Sequence, residues 1–302
     1  MIAIVIPYFK LKFFDETLSS LANQSNKYFN VYIGNDASPD NPGGLIDSYK
    51  TRLNITYERF EENLGGTSLT GQWDRCIKMI NEEEWIMIFG DDDYISSNYV
   101  EEFYKNLEHI EKKNIKVVRF ASRVVRSPSG ELSKLYTHPK IESATDFFYT
   151  KFFKQSRGSL SEQIFRREAY AKHGFRDFPL GWGSDNFAWL EFTDFGKIYS
   201  INEATAFFRI SEENISRGGY KEEVKSQAKY EYFDLIVRNF SHKFRPYQRK
   251  KIHLLFELLA YKINQFNFWF WIRMCGIYFR EGNFFEPIKM TRRILLLYPK
   301  KK

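Results

Sequence analysis

A chain of 302 residues is long for one domain, short for two full ones, and long enough to bury a large core. Aromatic residues make up 18% of it, and its formal charge of +7 is unevenly spread. Residues 226–302 hold 16 Lys and Arg against 5 Asp and Glu, a net of +11, which leaves 29 against 33, or −4, for residues 1–225. A membrane-spanning helix is excluded, because the longest apolar run, Phe268–Phe279, is about half a span and contains Arg273. The N-terminus does not read as a signal peptide: the apolar stretch Ile2–Ile6 is short, and Pro7 and Lys10 follow at once. Cys76 and Cys275 are far apart and lack metal-type spacing, so both read as reduced thiols of a cytoplasmic protein. What remains is an acidic body with a basic, aromatic tail, a charge pattern that draws a protein to a polyanionic surface of lipid or nucleic acid.

In chain order, Ile2–Ile6 reads as a buried strand ended by Pro7, followed by a helix over Phe13–Ala22 and a strand over Phe29–Ile33. The turn formers Gly34–Gly44 come next, then a helix over Leu45–Leu53 and a strand over Ile55–Phe60. Asn63-Leu64-Gly65-Gly66 forms a loop, with Thr67 as the cap of a helix running to about Ile80. Trp85–Phe89 follows as a strand apolar on both faces, then a helix over Asn98–Lys113 and a strand over Lys116–Ala121. Such alternation predicts an α/β fold with a mostly parallel sheet, its Asp-, Asn- and Gly-rich loops gathered at the carboxyl edge where ligands bind.

Further on, residues Ser122–Pro139 read as an irregular or antiparallel excursion, Ala144–Lys154 as a helix, Gln163–Phe165 as a short strand and Glu168–His173 as a short helix. Gly181–Asn186 is a loop in which Ser184 or Asp185 caps a helix reaching Thr193, and Gly196–Ile201 and Ala204–Ile210 are two late strands. From about residue 226 long basic-aromatic helices are expected. In one of them Ile252, Leu255, Phe256, Leu259, Ile263 and Phe266 share a face.

The chain is organised around the strand that runs into Asp91-Asp92-Asp93. Three adjacent carboxylates repel one another, and either water or a divalent cation relieves them. This junction, with Val5-Ile6-Pro7-Tyr8, Gly34–Asp40, Asn63–Gly66 and Gln72–Cys76, in that order and spacing, resembles family 2 glycosyltransferases of the GT-A fold over residues 1 to about 210.

The resemblance implies a catalytic domain over 1–225, with a nucleotide-sugar half to about 121 and an acceptor half over 122–225, and a helical extension over 226–302. It puts Pro7 and Tyr8 against the nucleotide base, with Tyr8 able to stack, and gives Asp36 the uracil imide. Asn63, Gly65 and Gly66 allow close backbone approach, and Arg75 reaches the diphosphate as a forked donor. Counting back from Ser97, Asp92 binds Mn²⁺ or Mg²⁺, with Asp93 as a second or water-mediated ligand and Asp91 facing the ribose or sugar. Asp185 is the general base of an inverting transfer, beside Trp182 and Ser184 at the acceptor.

The sequence departs from the family pattern at Asn35, Gly90 and Ser211; a histidine is usual near Ser211, and the metal or phosphate contact it would make is either lost or replaced by Arg209 or Arg217. The implied donor is a nucleotide-sugar, UDP-linked, and the implied acceptor a glycan or polyprenyl-linked oligosaccharide of bacterial surface polysaccharide assembly (capsule or O-antigen). The protein is expected at the inner face of the cell membrane, with residues 226–302 meeting anionic lipid and no nucleic acid bound. Two rival readings are a nucleic-acid-binding protein acting through that basic tail and a catalytically inactive sugar-binding module on the same fold.

Overall fold

The computed structural model describes residues 1–154, 156–211 and 222–297. The chain divides into two compact units, Met1–Gly218 and Gly219–Lys302, where the change of composition alone had suggested a border at 225/226.

In the first unit, β1 (Ile2–Tyr8), β2 (Phe29–Asn35), β3 (Ile55–Arg59) and β4 (Trp85–Ile88) lie side by side in the order β3-β2-β1-β4, all parallel. Helices α1 (Phe14–Ala22), α2 (Gly43–Tyr49) and α3 (Leu69–Ile77) make the crossovers. β1 and β4 are buried on both faces, as their unbroken apolar sequences require of central strands. β1 does not stop at Pro7: it runs through Tyr8 in register with Gly34 and Asn35. The cap of α3 is Ser68, whose hydroxyl accepts the Gly71 N–H at 3.0 Å, and not Thr67.

Beyond β4 the sheet becomes mixed. A two-residue strand β5 (Tyr94–Ile95) and helix α4 (Tyr99–Lys112) lead to β6 (Val117–Arg126), which outruns its expected end at Ala121 and turns back through β7 (Glu131–Leu132). Then come β8 (Ile141–Ser143), α5 (Ala144–Phe153), β9 (Gln163–Arg166), α6 (Arg167–His173), α7 (Ser184–Phe192) and β10 (Lys197–Ile210). β9 is antiparallel to both β4 and β6, whereas β10 is parallel to β6. The two late strands expected from the sequence are one strand, in which Asn202 and its neighbours are absorbed by a register shift between Ile201 and Thr205. Pairing is thus all parallel in the first half and mixed in the second, where the long parallel pair β6–β10 is joined by the short antiparallel strands β5, β7, β8 and β9.

The second unit is helical: α8 (Glu222–Leu235), a single wide turn over Ile236–Phe240, then α9 (Pro246–Lys262), α10 (Phe268–Arg280) and α11 (Glu286–Leu297). The stripe along α9 turns inward. Ile252 and Phe256 are fully buried, and the Phe256 ring packs on Tyr230 (5.1 Å between centroids) and Phe270 (5.2 Å). Ile252, Phe256 and Leu259 of the stripe are therefore core of this unit, with Leu255, Ile263 and Phe266 partly buried beside them. Among the described residues no helix is long and apolar enough to cross a membrane. The sequence motifs at Glu212–Arg217 and Pro299–Lys302 lie outside the described residues.

Candidate active site

The carboxyl ends of β1, β2 and β4 bring two groups of acids to one edge of the sheet. At the end of β2, Asp36 is buried, its own N–H bonding the Tyr8 carbonyl at 2.9 Å. Its carboxylate accepts the N–H groups of Leu64 (2.7 Å) and Gly65 (2.9 Å) and pairs with the Arg75 guanidinium. Gly65 is required by this closeness, since a Cβ there would stand 2.5 Å from Asp36 Oδ2. The next turn is tied by Asn63 Oδ1, which accepts the Gly66 N–H at 2.7 Å. Arg75 also donates to the Glu62 carbonyl at 2.8 Å and to Gln72, and stacks 4.0 Å above the Phe60 ring. The structure thus joins Arg75 to Asp36, where the sequence reading sent it to a diphosphate. Oδ2 of Asp36 holds only one of these three donors, which leaves acceptor capacity there.

Tyr8 is a clear correction. It continues the inward face of Ile2, Ile4 and Ile6, is wholly buried, and packs against Phe14 at 4.6 Å. A base cannot reach it. The half-buried aromatic at this strand end is the next residue, Phe9, whose carbonyl is held by the Ser38 hydroxyl at 2.6 Å. Strand alternation along Ile2-Ile4-Ile6 was the signal that would have found it. Pro7 is half-buried beside it. Asn35, where the family has an acid, bonds the Tyr57 hydroxyl (2.9 Å) and the Ser38 N–H (2.9 Å), so it shapes the turn.

The acid turn after β4 is fastened to the same strand end. Asp91 Oδ2 accepts the N–H groups of Phe9 and Lys10, both at 2.7 Å, which makes it a brace for the β1 loop. The Thr17 hydroxyl of α1 reaches the carbonyls of Asp91 (3.1 Å) and Asp93 (2.8 Å). Asp93 is 2% exposed; its carboxylate accepts the Arg209 N–H at 2.9 Å and bonds Ser161, which also holds the Gly90 N–H at 3.2 Å. Arg209 brings its guanidinium to the Asp92 carbonyl (3.0 Å) and to Glu16, a contact the late strand supplies from β10; Arg217 lies outside the described residues.

Asp92 and Asp93 each bring one carboxylate oxygen close to Gly90. A Cβ on Gly90 would lie 2.9 Å from Asp93 Oδ2 and 3.2 Å from Asp92 Oδ1. Burial, then the neighbouring carboxylates Asp93 and Asp91, push Asp92 well above the usual carboxylate range. Burial raises Asp93 too, against the pull of Ser161, the Arg209 amide and Arg157. Among the described residues no three His, Cys, Asp or Glu side chains form a ready-made metal cage. Two mutually repelling carboxylates with open positions nevertheless fit a hard divalent cation, which keeps water and substrate phosphate oxygens as its other ligands.

On the acceptor side, Gly183 (φ +93°) is the N-cap of α7, so Ser184 and Asp185 stand in the first helical turn and do not cap it. Ser184 is fully buried and its hydroxyl accepts the Phe178 N–H at 3.4 Å, so it braces the loop out of reach of an acceptor. Trp182 is half-buried in that loop. Asp185 Oδ1 accepts from the Asn186 amide at 2.8 Å, and its Oδ2 lies 3.8 Å from the ammonium of Lys151. Lys151, from α5, also donates to Asn186 and to the Gly158 carbonyl. The segment from Gly158 to Ser161 therefore links the surroundings of Asp185 to those of Asp93. A second link is Asp177, which accepts from Ser68 (2.9 Å) and Thr70 (2.6 Å) and so pins the glycine loop and α3 to the acceptor loop. Neither Lys151 nor Asp177 carries a sequence signal, because each is remote along the chain from what it holds.

A mixed sheet whose parallel half gathers acids and a glycine loop at its carboxyl edge, with a further acid, Asp185, in the first turn of α7, is the architecture of a GT-A glycosyltransferase. The profile of glycosyl transferase family 2 matches residues 3–174, and the chain belongs to that family. It is similar to the poly(ribitol-phosphate) beta-N-acetylglucosaminyltransferase TarS of Staphylococcus aureus (strain Mu50 / ATCC 700699), 23% identical over 186 residues that cover 56% of this chain and 32% of TarS. TarS of strain MW2 matches equally. The chain thus spans about a third of the length of these curated relatives. Among solved structures, S. aureus TarS 1-349 in complex with UDP-GlcNAc superposes with a TM-score of 0.58 at 16% identity, over 97% of this chain and 91% of that one. The mannosyltransferase PcManGT from Pyrobaculum calidifontis, in complex with GDP-Man and Mn²⁺, gives 0.59 at 13% identity, over 87% and 73%. These superpositions are likenesses of fold.

Proposed function

We propose that the protein transfers a sugar from a nucleotide-sugar, UDP-linked, to a hydroxyl of a glycan or polyprenyl-linked acceptor, with inversion, in bacterial surface polysaccharide assembly at the cytoplasmic face of the membrane. The observation that carries the reading is the convergence of Asp36 with Gly65 and of Asp91–Asp93 on one strand end, the last residues of β1 and the loop after it. Asp36 Oδ2 accepts the imide N–H of the base, Phe9 stacks on its face, and Arg75 holds Asp36 in place. Asp92 and Asp93 hold a divalent cation, Mn²⁺ or Mg²⁺, which when bound offsets charge on the departing diphosphate. Asp91 keeps the β1 loop closed over that region through the Phe9 and Lys10 amides. Asp185 takes the proton of the acceptor hydroxyl as the oxygen attacks the anomeric carbon from the face opposite the leaving diphosphate. Trp182 offers an apolar surface to a sugar ring. Incubation with a panel of nucleotide-sugars and Mn²⁺, following slow donor hydrolysis, tests this. Hydrolysis confined to UDP-sugars and abolished by chelator is the expected result, and hydrolysis of none would defeat the reading.

A further inference from the structure

We infer that the second unit meets a lipid bilayer bearing anionic headgroups through the outer face of α10 and α11. The stripe of α9 does not serve, since its Ile252, Phe256 and Leu259 are core of the unit. With Ile252, Phe256, Met274 and Met290 already fully buried, large apolar side chains remain outside: Trp269 is 75% exposed and Phe285 74%. They keep helical spacing. Phe268, Ile272 and Phe279 follow one another along α10, and Phe285, Ile288 and Leu295 continue the pattern into and along α11. Scattered exposed apolar residues are ordinary; a patterned set on two successive helices marks a surface with a partner.

The charges around this set select the partner. Arg280, Lys289 and Arg292 are exposed on the same two helices and the turn between them. The only acids between residues 263 and 297 are Glu281 and Glu286. Both are withdrawn: Glu286 is buried and lies 3.0 Å from Lys289 and 3.5 Å from Lys250, and Glu281 lies close to Arg249 (3.9 Å) and His253 (3.7 Å). A second copy presenting this face would set cation against cation with no exposed acid to answer. A nucleic acid would satisfy the cations but give Ile288 and Leu295 nothing apolar to enter. The headgroup layer of a bilayer satisfies both, with aromatic and aliphatic side chains at the acyl boundary and Lys and Arg at the phosphates. The inference stands on the second unit alone and is independent of the transfer reaction.

The test uses the full chain with phosphatidylcholine vesicles, with and without phosphatidylglycerol, in sedimentation assays. Binding is expected to the anionic vesicles, weakened by salt as the Debye length shrinks from about 8 Å towards 3 Å. Each cation near an anionic surface contributes about fivefold in partitioning. The triple variant Arg280→Gln/Lys289→Gln/Arg292→Gln should therefore lose on the order of 10²-fold and, with it, the preference for phosphatidylglycerol. The variant Trp269→Ser/Phe285→Ser/Ile288→Ser should lose at least as much. All six positions are exposed, so both variants should keep the wild-type circular dichroism and donor hydrolysis, which separates this test from that of the reaction. Undiminished vesicle binding in the apolar variant would overturn the inference. So would a dimer that this variant dissolves, or binding to single-stranded nucleic acid in place of vesicles.

Discussion

Asp36 and Asp91 each receive two main-chain N–H groups, from Leu64 and Gly65 and from Phe9 and Lys10, and Asp93 receives a third kind of main-chain donor, the Arg209 amide. Asp185, across the sheet edge, is held by side chains, the Asn186 amide and the Lys151 ammonium. Main-chain donors are fixed by the segments that carry them, so Asp36, Asp91 and Asp93 are positioned largely by the fold itself. Asp185 is positioned by two side chains, Asn186 and the partly buried Lys151, each of which a single substitution can remove. A donor common to many transferases suits the first arrangement. The second leaves the acceptor side adjustable without disturbing the sheet.

The largest effect should come from the donor side. Asp92→Asn is expected to abolish transfer and the Mn²⁺-dependent part of UDP binding, read by calorimetry, with an unchanged circular dichroism spectrum. Turnover in this variant would remove Asp92 from the metal site. Asp185→Asn should lower turnover on the order of 10²-fold or more while donor affinity holds. A fall in affinity at constant turnover per bound donor would make Asp185 a structural residue.

Lys151→Met sharpens the contrast directly. Turnover is expected to drop about tenfold without loss of donor affinity, and in the double variant with Asp185→Asn the two effects should not add, because one acts through the other. Additive losses would separate Lys151 from Asp185. Gly65→Ala asks the converse on the donor side. The new Cβ pushes Asp36 from its amides, so UDP affinity should fall several-fold and stability by about 1–3 kcal/mol, with kcat on saturating donor little altered.

The last effect is one of stability against pH and arises where His138 is buried beside Arg119 and Glu162. Burial pulls its pKa down from 6.5 to about 3. Between those values the unfolded chain binds a proton that the folded one refuses, so stability is complete above about pH 6.5 and declines as the solution is acidified. By pH 5 the loss from this residue should be about 2 kcal/mol, read as a lowered melting temperature that His138→Gln partly restores.

The parallel half of the fold was legible because each of its strands is an apolar run that ends in turn formers, so period and punctuation agree. In the second half α5, β9, α6 and α7 were legible to within a residue or two, but the pairing of the strands was not. β10 joins what look like two strands, because the register shift after Ile201 accommodates residues that read as a loop. At the site, the acid turn and the glycine loop could be read, since their residue types are forced by close approach. Tyr8 was read as a surface for the base, yet it is buried, because a motif gives neighbourhood, whereas the face is decided by alternation. Ser184 has the residue type of a cap, but Gly183 takes that place. The helical stripe of α9 was legible as a stripe, yet periodicity does not say whether a face meets lipid or its own unit.

Gly90 carries a consequence of another kind. The family pattern has an acid where this chain has glycine, and restoring it looks like a repair. Here the new side chain would start 2.9 Å from Asp93 Oδ2 and 3.2 Å from Asp92 Oδ1, adding a third negative charge inside a pair that already repels. An acid at position 90 is therefore expected to displace the Asp92 and Asp93 carboxylates, so its effect depends on what stands at positions 92 and 93.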